Sequence, residues 1–296
     1  MKIIGSLMLG GVPRKRVVVL PNAETFSLVV NDGGAGFTIA AHISCPSARH
    51  TSLSHERAAG EGLPAEVFPS SASWNAIVSQ YTRGPAESVA LKIDMGRDDI
   101  LTCSLVFQSL DGTVLRLYLG LGYYEDESRS FVYLLHDAGF RQAHRVIRDH
   151  PSLANVKRLH IDHSIPFDGQ HWHRIIANEV GQLFKGLGTL DELTMYGCDP
   201  YSCLTPFIDP SRSNDLWEPF AFPTVKKFVI SHPVVPHNEE CRTAIVELAK
   251  SQHALGIPFE CVTVQMKRLP ESLAEMLRPW VGVADCHEEL CIEDFV

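Results

Sequence analysis

Residues 190–198 read LDELTMYGC, that is Leu190-x-x-Leu193-x-Met195-x-x-Cys198. The fold turns on whether this stretch is an isolated core strand or one rung of a ladder, because a fixed internal period dictates the whole architecture. The same spacing recurs as Val156-x-x-Leu159-x-Ile161, Val225-x-x-Phe228-x-Ile230 and Phe259-x-x-Val262-x-Val264. The four starts, at 156, 190, 225 and 259, are separated by 34, 35 and 34 residues. Three nearly equal steps mark a repeat.

Within each rung the last three positions alternate apolar and polar. That is what a strand with one buried face requires, since successive side chains point to opposite sides of the backbone. Between rungs the apolar period lengthens to that of a helix. After Asp168, a candidate N-cap, Trp172, Ile175, Ile176, Val180, Leu183, Phe184 and Leu187 form one stripe that ends near Gly186 and Gly188. The next such interval has Asn238 as cap, Cys241, Ile245, Leu248 and Ala249 as stripe, and Gly256 as a left-handed stop. After Val264, Pro270 suits a first helical turn, with Leu273, Met276, Leu277 and Trp280 expected to face inward. The interval 199–224 carries five prolines and is expected to hold only a short helix near Tyr201 to Ile208.

The N-terminal half is less regular. Its rungs read Ala23-x-x-Phe26-x-Leu28, Ala48-x-x-Thr51-x-Leu53 and Ala86-x-x-Val89-x-Leu91. Leu101 to Phe107 and Val114 to Leu121, joined by the turn signal Asp111-Gly112, predict a hairpin inserted in the ladder. Helices are expected over Ser71 to Tyr81 and from about Phe131 to Arg148. The organisation predicted is an atypical N-terminal segment or cap over 1–20 and irregular repeats with the hairpin over 21–150. Regular repeats with an acidic tail, beginning at Asp285, follow over 151–296.

A repeated strand and helix, each strand lying beside the last, predicts an α/β fold of the leucine-rich-repeat-like solenoid type: strands on the inner face and helices on the outer one. The competing architecture is a doubly wound α/β domain. Its strands, buried on both faces, favour continuous apolar runs, whereas Leu193-Thr-Met195-Tyr and Leu159-His-Ile161-Asp keep one face polar.

Composition narrows the function. Of the 296 residues, 26 are Lys or Arg against 35 Asp or Glu, a formal net charge of -9, which argues against a nucleic-acid binder dependent on phosphate neutralisation. The eight cysteines are scattered without a tight framework, as expected of reduced thiols in a cytoplasmic or nuclear protein. The opening MKIIGSLMLGGVPRKR places its basic cluster after the apolar run, contrary to a secretory leader, and no apolar run reaches the ~20 residues that span a bilayer.

Four segments carry a family likeness: Leu20-Pro-Asn-Ala-Glu-Thr-Phe-Ser-Leu, Ile43-Ser-Cys-Pro-Ser-Ala-Arg-His-Thr-Ser-Leu, Phe68-Pro-x4-Trp74-Asn-Ala-Ile-Val, and the helix Glu240 to Ala249. Together they resemble the body of basidiomycete F-box proteins with leucine-rich-repeat-like C-terminal regions, over residues 20–290. The resemblance implies a repeat region that presents substrates to a cullin-type ubiquitin ligase, with an N-terminal F-box docking on the Skp adaptor. The F-box itself is expected to be absent. Leu63-Pro64-Ala65-Glu66-Val67-Phe68 matches its opening, yet Pro69, the run Ser70-Ser71-Ala72-Ser73 and Gly84-Pro85 interrupt the helices that should follow. Adaptor contact by this chain is therefore not expected.

Catalytic and metal motifs are not found. His160 and His163 fall on opposite faces of a strand, and His171 and His173 diverge on a helix. Cys198 and Cys203, like Cys286 and Cys291, lack the Cys-x-x-Cys spacing, and Cys198 reads as the residue that ends a rung. Gly33-Gly34-x-Gly36 lacks the spacing of a nucleotide fingerprint. Neither catalytic residues nor a cofactor are predicted. The chain reads as a non-enzymatic protein-interaction module without nucleic-acid or membrane partners. Its candidate partner-binding face is His160, Asp162, Thr194, Tyr196, Lys227, Val229 and Ser231. The alternatives are a hydrolase or transferase with an unrecognised site, and a truncated product without independent function.

Overall fold

A computed structural model of the chain describes residues 2–4, 17–30, 40, 42–57, 77–82, 84–95, 101–121, 155–163, 188–197, 204, 224–232, 239–266 and 272–288. The protein is mixed α/β, built on mostly parallel sheet, and divides into two compact units, Met1–Val156 and Lys157–Val296.

The C-terminal unit contains strands β9 (Arg158–His163), β10 (Glu192–Tyr196), β11 (Lys227–His232), β12 (Cys261–Met266) and β13 (Val283–Glu288), hydrogen-bonded side by side in chain order. All four pairings are parallel. The register follows the sequence period: Leu159 lies opposite Leu193, Leu193 opposite Phe228 and Phe228 opposite Val262, and the row from Ile161 through Met195 and Ile230 to Val264 lies two residues further on. All eight side chains are buried, as are the rung-opening Val156, Leu190, Val225 and Phe259. A one-residue slip of any strand would turn its apolar positions to solvent, so burial of this face enforces the register. Each fully buried side chain of this kind contributes roughly 1.5–3 kcal/mol.

Backbone hydrogen bonds repeat with the side chains. The Lys157 carbonyl accepts from the amides of Asp191 (2.8 Å) and Glu192 (2.9 Å). The Asp191 carbonyl accepts from Lys226 (2.8 Å) and Lys227 (3.0 Å), and that of Lys226 from Glu260 (2.8 Å) and Cys261 (3.1 Å). Each rung thus fixes the entry of the next.

Between β11 and β12 lies helix α1 (Glu239–Ala254), with Cys241, Ile245, Leu248 and Ala249 buried as the stripe predicts, joined by Ala244, Val246 and Gln252. Its end is a paired-bond stop. Gly256 has φ of 76°, its amide donates to His253 O (3.0 Å), and the Ile257 amide donates to Gln252 O (3.2 Å). Helix α2 (Leu273–Leu277) connects β12 to β13 and buries Leu273 and Leu277. The expectation that Met276 and Trp280 also face inward is corrected: Met276 is 36% exposed and Trp280 half-buried. Five residues make little more than one turn, which buries a single pair of side chains. Trp280 instead meets His253 edge-on at 5.6 Å, with Lys250 Nζ 5.8 Å from its ring centre.

Asp285 and Glu288, where the predicted acidic tail begins, lie on a fifth parallel strand, Val283–Glu288, and the rest of that tail lies outside the described residues. The strand stands only 22 residues on, with Val283 opposite Cys261, because α2 is so short. The chain enters this strand through a close approach. A Cβ on Gly282 would meet Glu260 O at 2.6 Å, so glycine is required there.

In the N-terminal unit the strands are β1 (Lys2–Ile4), β2 (Val18–Val19), β3 (Thr25–Val30), β4 (Ile43–Ser44), β5 (His50–Arg57), β6 (Ala86–Met95), β7 (Leu101–Ser109) and β8 (Val114–Leu121). The main order is β1-β3-β5-β8-β7-β6, and β2 pairs with β4 in a small parallel sheet. Residues 1–20, expected to lie before the ladder, thus contribute a strand parallel to β3 and half of the small sheet. Phe26 lies opposite Thr51, and Leu28 opposite Leu53, as the first two irregular rungs require. The third differs. The parallel neighbour of β5 is β8, with Leu53 opposite Leu117, while the expected rung Ala86-x-x-Val89-x-Leu91 is the far strand of an antiparallel meander β6-β7-β8. The Asp111-Gly112 hairpin forms as expected, with Gly112 at φ 82° and Asp111 Oδ1 accepting from the Thr113 amide at 2.9 Å.

Residues 77–81 are helical, the described part of the helix expected over Ser71 to Tyr81, and Leu204 is helical and buried. The expected helices after Asp168 and over Phe131 to Arg148, the rest of Tyr201 to Ile208, the Asn238 cap, Pro270 and the Leu63 to Phe68 segment lie outside the described residues. Among the described residues no helix is long and apolar enough to cross a membrane.

Candidate functional site

One face of the C-terminal unit's sheet carries the apolar rows, so the alternate positions make up the other. The shared register sorts those positions into three rows. The first runs Arg158, Glu192, Lys227, Cys261, Val283. The second runs His160, Thr194, Val229, Thr263, Asp285, and the third Asp162, Tyr196, Ser231, Gln265, His287. All seven residues singled out in the sequence lie on this face, and the structure brings them together across three neighbouring strands.

Their exposure is not uniform. Lys227 is exposed, and His160, Thr194, Val229 and Tyr196 are half-buried. Asp162 and Ser231, expected to be available to a partner, are 8% and 2% exposed. The register places both directly opposite Tyr196 on the two neighbouring strands.

Charge is arranged in pairs. Lys227 Nζ lies 3.4 Å from Glu192 Oε2 within the first row, and Lys226 Nζ lies 3.6 Å from Glu260 Oε1 just before the strands begin. On β13, His287 Nδ1 lies 3.6 Å from Asp285 Oδ1. The two cross-strand Lys–Glu pairs are at least partly exposed, and each contributes at most about 1 kcal/mol. On the core face, burial and then the neighbouring Asp285 push the Cys286 thiol up to about 11. Cys261, half-buried on the solvent face, has its sulfur 3.8 Å from Thr263 Oγ1.

Glu192, Thr263, Gln265, Asp285 and His287 were not among the sequence candidates. The first three were within reach, because stepping 35 residues back from Lys227 gives Glu192, and 34 on from Val229 and Ser231 gives Thr263 and Gln265. Asp285 and His287 were hidden by the shorter last step.

In the N-terminal unit Tyr81 and Cys45 are buried in the core. The Tyr81 hydroxyl is shared between the carbonyls of Ile43 (2.7 Å) and Ala40 (2.9 Å), and its ring stacks on Phe26 at 5.8 Å. Burial, and then the nearby Cys45 thiol, raise the Tyr81 hydroxyl above its ordinary range; burial also raises Cys45. Comparison with protein-family models, curated proteins and solved structures finds no match to this chain.

Proposed function

We propose that the chain is a non-enzymatic protein-interaction module, built as a leucine-rich-repeat-like solenoid in which parallel strands display a partner-binding face and helices cover the other side. The observation that carries this reading is the unbroken register of five parallel strands in chain order. A doubly wound sheet reverses its strand order at a switch point, where its ligand sits. Strands added in one direction have no such crevice, and their solvent face becomes a continuous surface of the kind repeat proteins use.

The rows on this face are mixed in charge, and most of their residues are exposed or half-buried, which suits a protein partner better than the strong positive field a nucleic acid needs. The likeness to F-box proteins with repeat regions supports a role in choosing substrates for a ubiquitin ligase. Immunoprecipitation of the tagged chain followed by mass spectrometry tests the reading. His160→Ala and Tyr196→Ala should each lose the captured set while the melting temperature stays within a few degrees. Under the ubiquitin-ligase role the captured proteins become longer-lived when the chain is depleted. Capture that survives both substitutions contradicts the assignment of this face.

A further inference from the structure

The parallel ladder of the C-terminal unit ends at β13. Among the described residues β13 pairs with β12 alone, which leaves its other edge unpartnered. The Val283 amide donates to Glu260 O at 2.8 Å. Backbone groups along a strand turn to its two sides at alternate residues, so Val283, Asp285 and His287 direct theirs to β12. Ala284, Cys286 and Glu288 direct theirs outward.

The core face is open at this end as well. Ala284 and Cys286 are half-buried, whereas Leu193, Met195, Val262 and Val264 of the inner rungs are at most 1% exposed. Outward amides and carbonyls beside incompletely covered apolar surface are a template for another strand, and a repeat array needs cover at its ends.

We infer that a second copy of this chain docks here, β13 against β13 in antiparallel sense, about a two-fold axis perpendicular to the sheet. The sequence of the strand selects this occupant. Such an axis keeps both solvent faces on one side, so solvent-facing residues oppose only solvent-facing ones. With Cys286 on the axis, Ala284 of each copy lies opposite Glu288 of the other, and the outward groups of all three close a ladder of about six hydrogen bonds. The same register sets Asp285 of each copy opposite His287 of the other. Within one chain His287 Nδ1 lies 3.6 Å from Asp285 Oδ1, which leaves Nε2 and the second carboxylate oxygen for pairing across the axis. Both side chains are accessible, 45% and 59% exposed. An axis on Asp285 or on His287 would instead set like groups against each other, which is unfavourable for residues directly opposite. The strand is therefore self-complementary in one register, as a two-fold contact requires. An edge of six residues is a small interface, so the dimer should be reversible. It joins the solvent faces of the two copies into one surface. The inference goes beyond the partner-binding reading and stands on the ladder alone.

Sedimentation equilibrium of the full chain over a concentration series tests it. The expected result is a reversible shift from the 32.8 kDa chain to twice that mass. Cys286→Pro removes an outward amide that the pairing with β12 does not use, and should weaken the dimer at least about tenfold with an unchanged circular dichroism spectrum. Asp285→Lys sets a cation opposite His287 and should weaken it by a similar factor, about tenfold. Asp285→Lys combined with His287→Asp exchanges the charges and should restore the dimer, which decides the matter even if Cys286→Pro does not fold. A single-chain mass at every concentration overturns the inference. So does a dimer indifferent to Asp285→Lys, or one that the exchange does not restore. If the chain stays monomeric while His160→Ala and Tyr196→Ala lose the cellular partners, this inference fails and the interaction reading stands.

Discussion

The two units use one strand-entry device at different regularity. In the C-terminal unit the carbonyls of Lys157, Asp191 and Lys226 each receive two amides from the next rung, at steps of 34 or 35 residues. In the N-terminal unit Glu24 O accepts from Arg49 (2.8 Å) and His50 (3.4 Å), and Arg49 O from Val114 (2.8 Å). The first of those steps is 25 residues, and the second reaches from residue 49 to residue 114 because the strands β6 and β7 come between. The comparison teaches that the parallel pairing, rather than the length of the intervening chain, is what each unit holds constant. A crossover that already holds the helical residues 77–81 can also take in two antiparallel strands, provided the arriving strand presents its apolar pair in register, as Leu115 and Leu117 do.

The comparison can be broken most severely at the cores. Phe228, stacked on Phe259 at 5.6 Å, and Phe26, stacked on Tyr81, are both fully buried. Phe228→Ala and Phe26→Ala should each cost about 3–5 kcal/mol in urea unfolding. Native-state hydrogen exchange should show faster exchange in β10–β12 for the first and in β3–β5 for the second. Equal loss in both regions from either variant would mean that the two units do not hold separate cores.

A smaller effect separates the glycines. Gly282→Ala drives a Cβ against the Glu260 carbonyl and should cost about 1–3 kcal/mol. Gly84 of the N-terminal unit meets nothing within 4 Å, and Gly84→Ala should stay within about 0.5 kcal/mol. Thermal denaturation of the pair checks both.

The smallest effect is with pH. Burial raises Cys286, to about 11, and also raises Cys45 and Tyr81. These groups fold in their neutral forms, so their contribution is complete below pH 9, the ordinary thiol value, and declines as pH rises toward the folded values. An alkaline series of unfolding curves should therefore be flat from pH 7 to about 8.5 and then fall. Cys286→Ala should reduce the decline between pH 9 and about 11, leaving the part owed to Cys45 and Tyr81. An unchanged decline would show that Cys286 is not held neutral by the fold.

How much of this was legible depended on how local the signal was. The rungs at Val156, Leu190, Val225 and Phe259 could be read because one face of each strand is wholly buried and the apolar positions therefore repeat. The Gly256 stop and the Asp111-Gly112 turn could be read because each needs a positive φ that few residues adopt. Strand β13 could not, since its core-facing pair is Ala284 and Cys286, too weakly apolar to match the template. The choice of β8 over β6 as neighbour of β5 was hidden for another reason: both strands carry the same apolar spacing, and only pairing across the sheet distinguishes them. Of the candidate face, the alternation placed all seven residues on the face opposite the apolar rows. It could not show that Asp162 and Ser231 are buried there, because burial depends on neighbours from other strands.

The central claim is that one side of each rung makes the fold and the other makes the contact, and neighbours on β10 test it most directly. Met195 is buried on the core face, and Tyr196 is half-buried on the solvent face. Unfolding and partner capture should be measured together on Met195→Ala and Tyr196→Ala. Met195→Ala should lose about 2–5 kcal/mol of stability yet capture the same proteins while folded. Tyr196→Ala should lose the captured set at a stability cost of about 1 kcal/mol or less. If Tyr196→Ala instead keeps the set, or the partners follow Met195, the division between the two faces is wrong.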